Sequence, residues 1–229
     1  MKVTLLHHIP LSIAVTAART CWDSFNKGGI YECPSDTLVE ADIALLDRLI
    51  HKNKHESIAE HISYSWSIEG LPRFVLAELT RHRICSYSVK STRYTLKELK
   101  DEESFFYYED DVTDEIEHVK LAVHIDRAKK YIDINPKLNL IQQVQGLEQL
   151  RLAIVHNKVS LDDVKYLVPE NYLTNLVWTI NIRSLRNFLY LRLSKSAHFK
   201  IRELAELVYN AIPQEHKFLF EDLRKEEND

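Results

Sequence analysis

His61-Ile62-Ser63-Tyr64-Ser65-Trp66-Ser67-Ile68-Glu69 alternates without a break, with Ile62, Tyr64, Trp66 and Ile68 on one side and His61, Ser63, Ser65, Ser67 and Glu69 on the other. A period of two predicts a half-buried strand, because successive side chains of an extended chain point to opposite faces. A second strand is predicted at 174–182. There Leu176, Trp178, Ile180 and Ile182 share one face, while Asn175, Thr179 and Asn181 hold most of the other, which should look toward a site, an interface or water. A short strand over 2–7 is expected too. Elsewhere the apolar residues recur at helical spacing. Leu11, Val15, Ala18 and Trp22 form one set; Leu38, Ala41, Leu45 and Leu49 form another, entered through Thr37 with Glu40 in capping-box relation. Pro72 suits the first position of a helix running toward Arg81, with Phe74, Val75 and Leu79 as its apolar members. Further helices are expected over 115–133, 138–156, 161–167, 184–195 and 198–211, with a last one near 214–224. Helices mixed with a few strands, without regular strand-helix alternation, predict an α+β fold: a small mixed or antiparallel sheet packed with several helices, in a single domain over 1–229.

Composition narrows the class. With 229 residues and 45% hydrophobic content, the chain has the material for a sizeable core. The run Met1 to Pro10 is too short and too interrupted for a signal peptide, and no later stretch approaches the roughly 20 apolar residues of a membrane span. Cys21, Cys33 and Cys85 are odd in number and form no Cys-x-x-Cys pair, which argues against a disulfide framework or a zinc knuckle. The expectation is a cytoplasmic protein with free thiols, no membrane association and no metal. Only four glycines occur, and Gly28-Gly29 is their one close pair. Neither a Rossmann fingerprint nor a Walker loop is present, so any dinucleotide must be held by side chains and helix ends. Residues 101–115 read as an acidic surface connection without chemistry, and Arg224 to Asp229 as a fraying tail.

Charge is distributed unevenly. No acid lies between Leu79 and Lys97, where Arg81, Arg83, Lys90, Arg93 and Lys97 stand, nor from Asn171 to Arg202, where Arg183, Arg186, Arg192, Lys195, Lys200 and Arg202 stand. The whole chain nevertheless carries −4. Basic islands in an acidic protein suggest an anion site, because guanidinium forks match phosphate oxygens and serine hydroxyls complete the shell. The plainer explanations are a solvated basic face, or Arg183 and Arg186 paired with acids elsewhere. A third cluster, His55-Glu56-Ser57-Ile58-Ala59-Glu60-His61, precedes the first strand. His51 and His55 are four apart, but the metalloprotease spacing is missing, and an exposed turn or hydrogen-bonded histidines packing the strand entrance explain the cluster better than metal.

Arg81-His82-Arg83-Ile84-Cys85-Ser86-Tyr87-Ser88-Val89-Lys90-Ser91-Thr92-Arg93 resembles the signature of the flavin-dependent thymidylate synthases, with each fixed position of Arg-His-Arg-x2-Ser-x4-Ser-x-Arg matched. The His55 to His61 segment upstream and Asn181 to Arg192 downstream resemble two further family segments, in the expected order. The resemblance implies FAD contacts from Ser57, Arg81, His82, Arg83, Val89, Asn181, Ile182, Arg183 and Asn187. It implies contacts to deoxyuridine monophosphate (dUMP) from Glu78, Arg81, Val89, Lys90, Ser91, Thr92, Arg93, Lys165 and Arg192, and places His55 and His82 near the flavin ring where folate stacks. Three positions depart from the pattern. Val89 replaces a frequent glutamate and leaves only its backbone for contact, Glu78 replaces a frequent glutamine, and Lys165 replaces a frequent arginine.

The implied reaction is reductive methylation of dUMP to dTMP. Methylenetetrahydrofolate is the carbon donor, FADH2 gives the hydride, and NADPH regenerates it. Arg192 is the expected catalytic residue, supporting negative charge on the pyrimidine, and Cys85 is expected to be a buried, inert thiol. The family also implies a homotetramer with FAD at subunit interfaces. The alternative is a module for single-stranded nucleic acid or nucleotides without catalysis, using Tyr87, Tyr94 and Trp178 for stacking. The net negative charge and pI near 6.3 weigh against a nucleic-acid partner.

Overall fold

The computed structural model describes residues 1–105, 122–156 and 160–228, with side chains through Leu223. Residues 115–121 of the helix expected over 115–133, residues 106–115 of the acidic connection expected over 101–115 and the side chains of the tail from Arg224 lie outside the described residues. The chain forms two compact units. One comprises Met1–Glu69, Glu78–Ser88 and Leu176–Asp229; the other comprises Gly70–Ala77 and Val89–Asn175. Among the described residues no helix is long and apolar enough to cross a membrane.

The α+β expectation holds. The sheet has four strands in the order β1 (Lys2–His8), β2 (Ser63–Pro72), β4 (Leu173–Asn181), β3 (Cys85–Val89). In the first unit β1 runs antiparallel to β2, with Val3 opposite Ile68 and Leu5 opposite Trp66. The β2–β4 ladder closes where the Ile182 N–H donates to the Ile62 carbonyl at 2.9 Å and the Ser65 and Thr179 hydroxyls meet at 2.8 Å. Tyr64, Trp66 and Ile68 are fully buried, as the alternation requires. Two boundaries differ from expectation. His61 belongs to a 3-10 segment, Glu56–His61, and Pro72 ends β2 instead of opening a helix. A strand end tolerates the missing N–H of proline, and α3 (Arg73–Leu79) starts one residue later.

Strand β3 has no counterpart in the sequence-based expectations. It is only five residues long and none is fully buried, so it carries no apolar period to read.

The helices of the first unit each bury residues on one side. Leu11, Ala14, Val15 and Ala18 bury one face of α1 (Leu11–Cys21), but Trp22 lies past its end and is 76% exposed. The Thr37–Glu40 capping box does not form. Helix α2 (Glu40–Asp47) starts after Val39 without a side-chain cap, because the Thr37 N–H turns to the Ser35 hydroxyl in a local turn. Helix α8 (Ile182–Arg192) follows β4 directly, with the Asn181 side chain accepting the Ser184 N–H at 2.8 Å. Helix α9 (Phe199–Asn210) follows, and the last segment, Gln214–Asn228, is 3-10 where an α-helix is expected.

The second unit contains α4 (Thr92–Thr95), α5 (122–128), α6 (Leu140–His156) and α7 (Leu161–Val164). Its core includes Leu96, Leu99, Phe105, Ile132, Leu147, Leu150 and Tyr172. Within the described part of the acidic connection, Glu102 is anchored by Arg127 at 2.9 Å and by the Tyr131 hydroxyl at 2.7 Å.

Candidate functional site

The signature turn of the first unit follows α3, with His82 buried beneath two exposed arginines, Arg81 and Arg83. Arg192, in the last turn of α8, donates from Nε to His82 Nε2 at 3.0 Å and from Nη1 to Glu78 Oε2 at 3.0 Å. The acceptor role of Nε2 requires a neutral imidazole with its proton on Nδ1. Burial, and then the Arg192 charge, lower the His82 pKa from the ordinary 6.5 to about 4.

This depression has a definite sign. Between about 4 and 6.5 the unfolded chain binds a proton at this position and the folded chain does not, so the stabilisation is complete above 6.5 and is lost as pH falls toward 4. Its size is up to about 3 kcal/mol. Chemical unfolding across this window should therefore show a pH slope that His82→Asn flattens.

The backbone beneath the imidazole is also fixed. The His82 carbonyl accepts the Tyr87 hydroxyl at 2.8 Å and the Cys85 thiol at 2.9 Å. Cys85 is half-buried, less enclosed than expected from sequence. Because Tyr87 keeps that carbonyl satisfied, Cys85→Ala should leave turnover within about twofold of the parent, as measured in a steady-state assay.

His82, Arg83, Asn181, Arg183, Asn187 and Tyr190 line one cavity of about 750 Å³. Its two other arginines are not equivalent. Arg186 is nearly buried and bidentate on Asp222, and also donates to the Leu219 carbonyl, so here the structural explanation of a basic residue applies. Arg183 reaches Glu56 at 3.1 Å and Glu60 at 2.6 Å, but it is 52% exposed. Such exposed pairs add little to stability, which leaves Arg183 available to a ligand. Among the described residues no acid pairs with Arg81 or Arg83. A cavity with the unpaired Arg83 and the loosely held, exposed Arg183 at its wall suits an extended anionic ligand.

Ile84 also lines this cavity, 78% exposed and at φ 62°, a region that β-branched residues rarely occupy. The conformation costs about 1–2 kcal/mol. Ile84→Asn should therefore raise Tm by a few degrees, because asparagine tolerates the left-handed region.

The expected site residues are not all gathered there. Ser57 and His55 are exposed and line a separate cavity of about 410 Å³ with Trp22, Lys27 and Arg48. Ile182 is fully buried and offers only its backbone. Arg81 lines neither cavity.

In the second unit, Asp162 brings Arg93 and Lys165 together, at 3.2 and 2.6 Å, although they lie far apart in sequence. Hydrogen bonding from Lys165 and the nearby Arg93 charge hold the Asp162 carboxyl below the usual range. Lys90 is instead engaged by both oxygens of Glu98 at 2.9 Å. Exposed Ser91 precedes α4 without capping it, and it and partly exposed Thr92 lie within two residues of Arg93 in the chain. Val89 is partly exposed at the end of β3.

Sequence reasoning missed Glu60, Tyr190 and Asp222 as cavity residues. Glu60 lay inside the singled-out His55–His61 segment, five residues from one histidine and next to the other. Tyr190 is on the exposed face of α8, whereas nothing in the spacing of Asp222 announces its pairing with Arg186.

An α+β fold presenting exposed arginines around a polar cavity defines a binder of an anionic ligand. A model of the thymidylate synthase complementing protein family matches residues 4–216, and the chain belongs to that family. It is 45% identical to a flavin-dependent thymidylate synthase of Wolinella succinogenes, over 96% of this chain and 97% of the relative. It is 40% identical to the enzyme of the same description from Helicobacter pylori, over 98% of this chain and all of the relative. The crystal structure of thymidylate synthase X from Helicobacter pylori with FAD and dUMP superposes with a TM-score of 0.84 at 39% identity, covering 98% of this chain and all of that one.

Proposed function

We propose that the chain is a flavin-dependent thymidylate synthase that reductively methylates dUMP to dTMP, with methylenetetrahydrofolate as carbon donor and NADPH as the source of electrons. The observation that carries the reading is the Glu78–Arg192–His82 chain at the signature turn, beside a cavity of about 750 Å³ whose wall bears Arg83, Asn181, Arg183 and Asn187. The cavity fits a dinucleotide in volume and chemistry, offering guanidiniums for a diphosphate and amides for polar ring edges. We assign FAD to these residues with His82, Arg81, Ser57 and the backbones of Ile182 and Val89. When bound, it supplies the hydride of the reductive step.

The chain's own residues hold and polarise the nucleotide. Attack from C5 of the pyrimidine leaves negative charge around its N3-C4-O4 edge, and Arg192 is the group we assign to support it. Glu78 fixes the Arg192 guanidinium, so the carboxylate at this position works by orienting a cation. Neutral His82 accepts from Nε without adding a competing charge. Arg93 and Lys165, with Ser91 and Thr92, are assigned to the dUMP phosphate. A phosphate entering there would displace the exposed Asp162, which is consistent with a pair that has little stability to lose. Lys90 is assigned to the nucleotide with its ammonium held by Glu98. His55, with His82, is assigned to the folate side. Residues 1–229 are read as one synthase domain, because the family match runs through both compact units. The homotetramer with FAD at subunit interfaces and a cytoplasmic location are part of this proposal. The separate positions of Ser57 and His82 are consistent with flavin contacts drawn from more than one subunit.

The nucleic-acid alternative is not favoured. Trp178 is fully buried and stacks on half-buried Tyr87 with centroids 6.4 Å apart, so of the three aromatics it requires only Tyr94 is exposed. Isothermal titration with dUMP and with an oligodeoxynucleotide tests the reading. Saturable dUMP binding that Arg93→Ala weakens at least tenfold is expected, and binding of the oligonucleotide alone would reverse it.

A further inference from the structure

We propose that His8, Asp36 and His216 form a binding site for a divalent transition-metal ion, with zinc as its natural probe, separate from the nucleotide and flavin machinery. The three residues come from the end of β1, the loop before α2 and the C-terminal segment. Their ligand atoms all lie within 4.8 Å of one another. Asp36 stands between the two imidazoles, Oδ2 at 2.7 Å from His8 Nε2 and Oδ1 at 2.8 Å from His216 Nε2. Metal ligation at about 2.0–2.2 Å in tetrahedral geometry separates ligand atoms by roughly 3.3 Å, so opening each contact by about half an ångström makes room for an ion.

The surroundings favour the site. His216 is fully buried and its Nδ1 meets the Tyr64 hydroxyl at 2.7 Å, an outer-sphere partner that fixes the ring with Nε2 facing Asp36. His8 and Asp36 are about one quarter exposed, leaving an entry path and a position for a water as fourth ligand. Two imidazoles and one carboxylate, with no thiolate, suit zinc and its neighbours better than magnesium or calcium. The Leu11 N–H, at 2.9 Å from Asp36 Oδ1, holds the carboxylate in place at the start of α1. An ion here pins β1, the loop before α2 and the C-terminal segment together. That last segment also supplies the Leu219 carbonyl and Asp222 that hold Arg186 in the cavity wall.

The experiment uses flavin-loaded, tag-free full chain, stripped with chelator, dialysed against micromolar zinc chloride and analysed for metal by atomic emission. One zinc per chain is expected, with a zinc-dependent rise in Tm. His8→Gln, which spares the His216–Asp36 contact, should lose at least tenfold in affinity together with the Tm response. Tyr64→Phe should keep one zinc at roughly 10–100-fold lower affinity. His51→Gln, outside the cluster, should match the parent. Absence of stoichiometric zinc in the parent, full retention by His8→Gln, or equal loss in His51→Gln would overturn the proposal.

Discussion

Arg192→Ala is expected to lower thymidylate formation on the order of 10²–10³-fold while the protein keeps its flavin. The size follows from removing a fixed guanidinium from the pyrimidine edge where charge develops, a loss of roughly 3–4 kcal/mol in barrier. The proposed role is supported by the side chain's two hydrogen bonds, to His82 and Glu78 at 3.0 Å each, which restrict it while leaving it 20% exposed. The same substitution removes the charge that, after burial, depresses the His82 pKa, so His82 should titrate nearer its ordinary value. Single-turnover product formation, flavin absorbance of the purified variant and the His82 NMR titration separate these effects. A fully active variant would end the assignment of Arg192 as the catalytic residue.

Asp42→Ala should destabilise the fold by about 3–5 kcal/mol, a fall in Tm of roughly 10 °C for a chain of this size. Asp42 is fully buried and accepts from Arg19 at 2.5 and 3.1 Å, from the Gly29 N–H at 2.8 Å and from the Tyr31 hydroxyl at 2.8 Å. Removing it strands the nearly buried Arg19 charge together with two other donors. Burial pushes the Asp42 carboxyl up, but the hydrogen bonds from Arg19, Gly29 and Tyr31 outweigh it and hold the pKa below the ordinary value. Its contribution is therefore present above the unfolded-state pKa and lost as pH falls through the folded one. Urea unfolding of parent and variant at pH 7 and in acid measures both claims, and a loss under about 1 kcal/mol at pH 7 would contradict them.

That network accounts for the glycine pair conspicuous in the sequence. A Cβ on Gly28 would lie 2.4 Å from Asp42 Oδ1 and 2.9 Å from Arg19 Nε, and one on Gly29 would lie 2.8 Å from the Tyr31 hydroxyl that bonds the same carboxylate. Sequence showed two adjacent glycines but not the ion pair against which they pack, because Arg19 and Asp42 lie on different helices. The same limit explains much of what was not legible. Alternation in 61–69 and 174–182 revealed β2 and β4, since each buries one face; β3 buries none completely and was missed. A cap was expected at Thr37, where a neighbouring hydroxyl captured the backbone instead, and none was read at Asn181, whose side chain accepts from Ser184. Trp22 followed helical spacing, yet its helix ends at Cys21.

For the candidate site, the motifs identified residue types and order but not pairing. Arg186 and Arg183 look alike in sequence and differ in what holds them, one bidentate on Asp222 and nearly buried, the other on two exposed glutamates. The Glu78 departure gained meaning only when Arg192 was found against it. Likewise, Lys165 and Arg93 meet through Asp162, a residue that no motif marks.

The most direct measurement of the central claim is anaerobic conversion of dUMP to thymidylate by the purified chain, stripped of bound cofactor, with methylenetetrahydrofolate and NADPH and with or without added FAD. The account predicts product that requires both FAD and NADPH. Folded protein that binds FAD and dUMP yet forms no thymidylate in the complete mixture would contradict it.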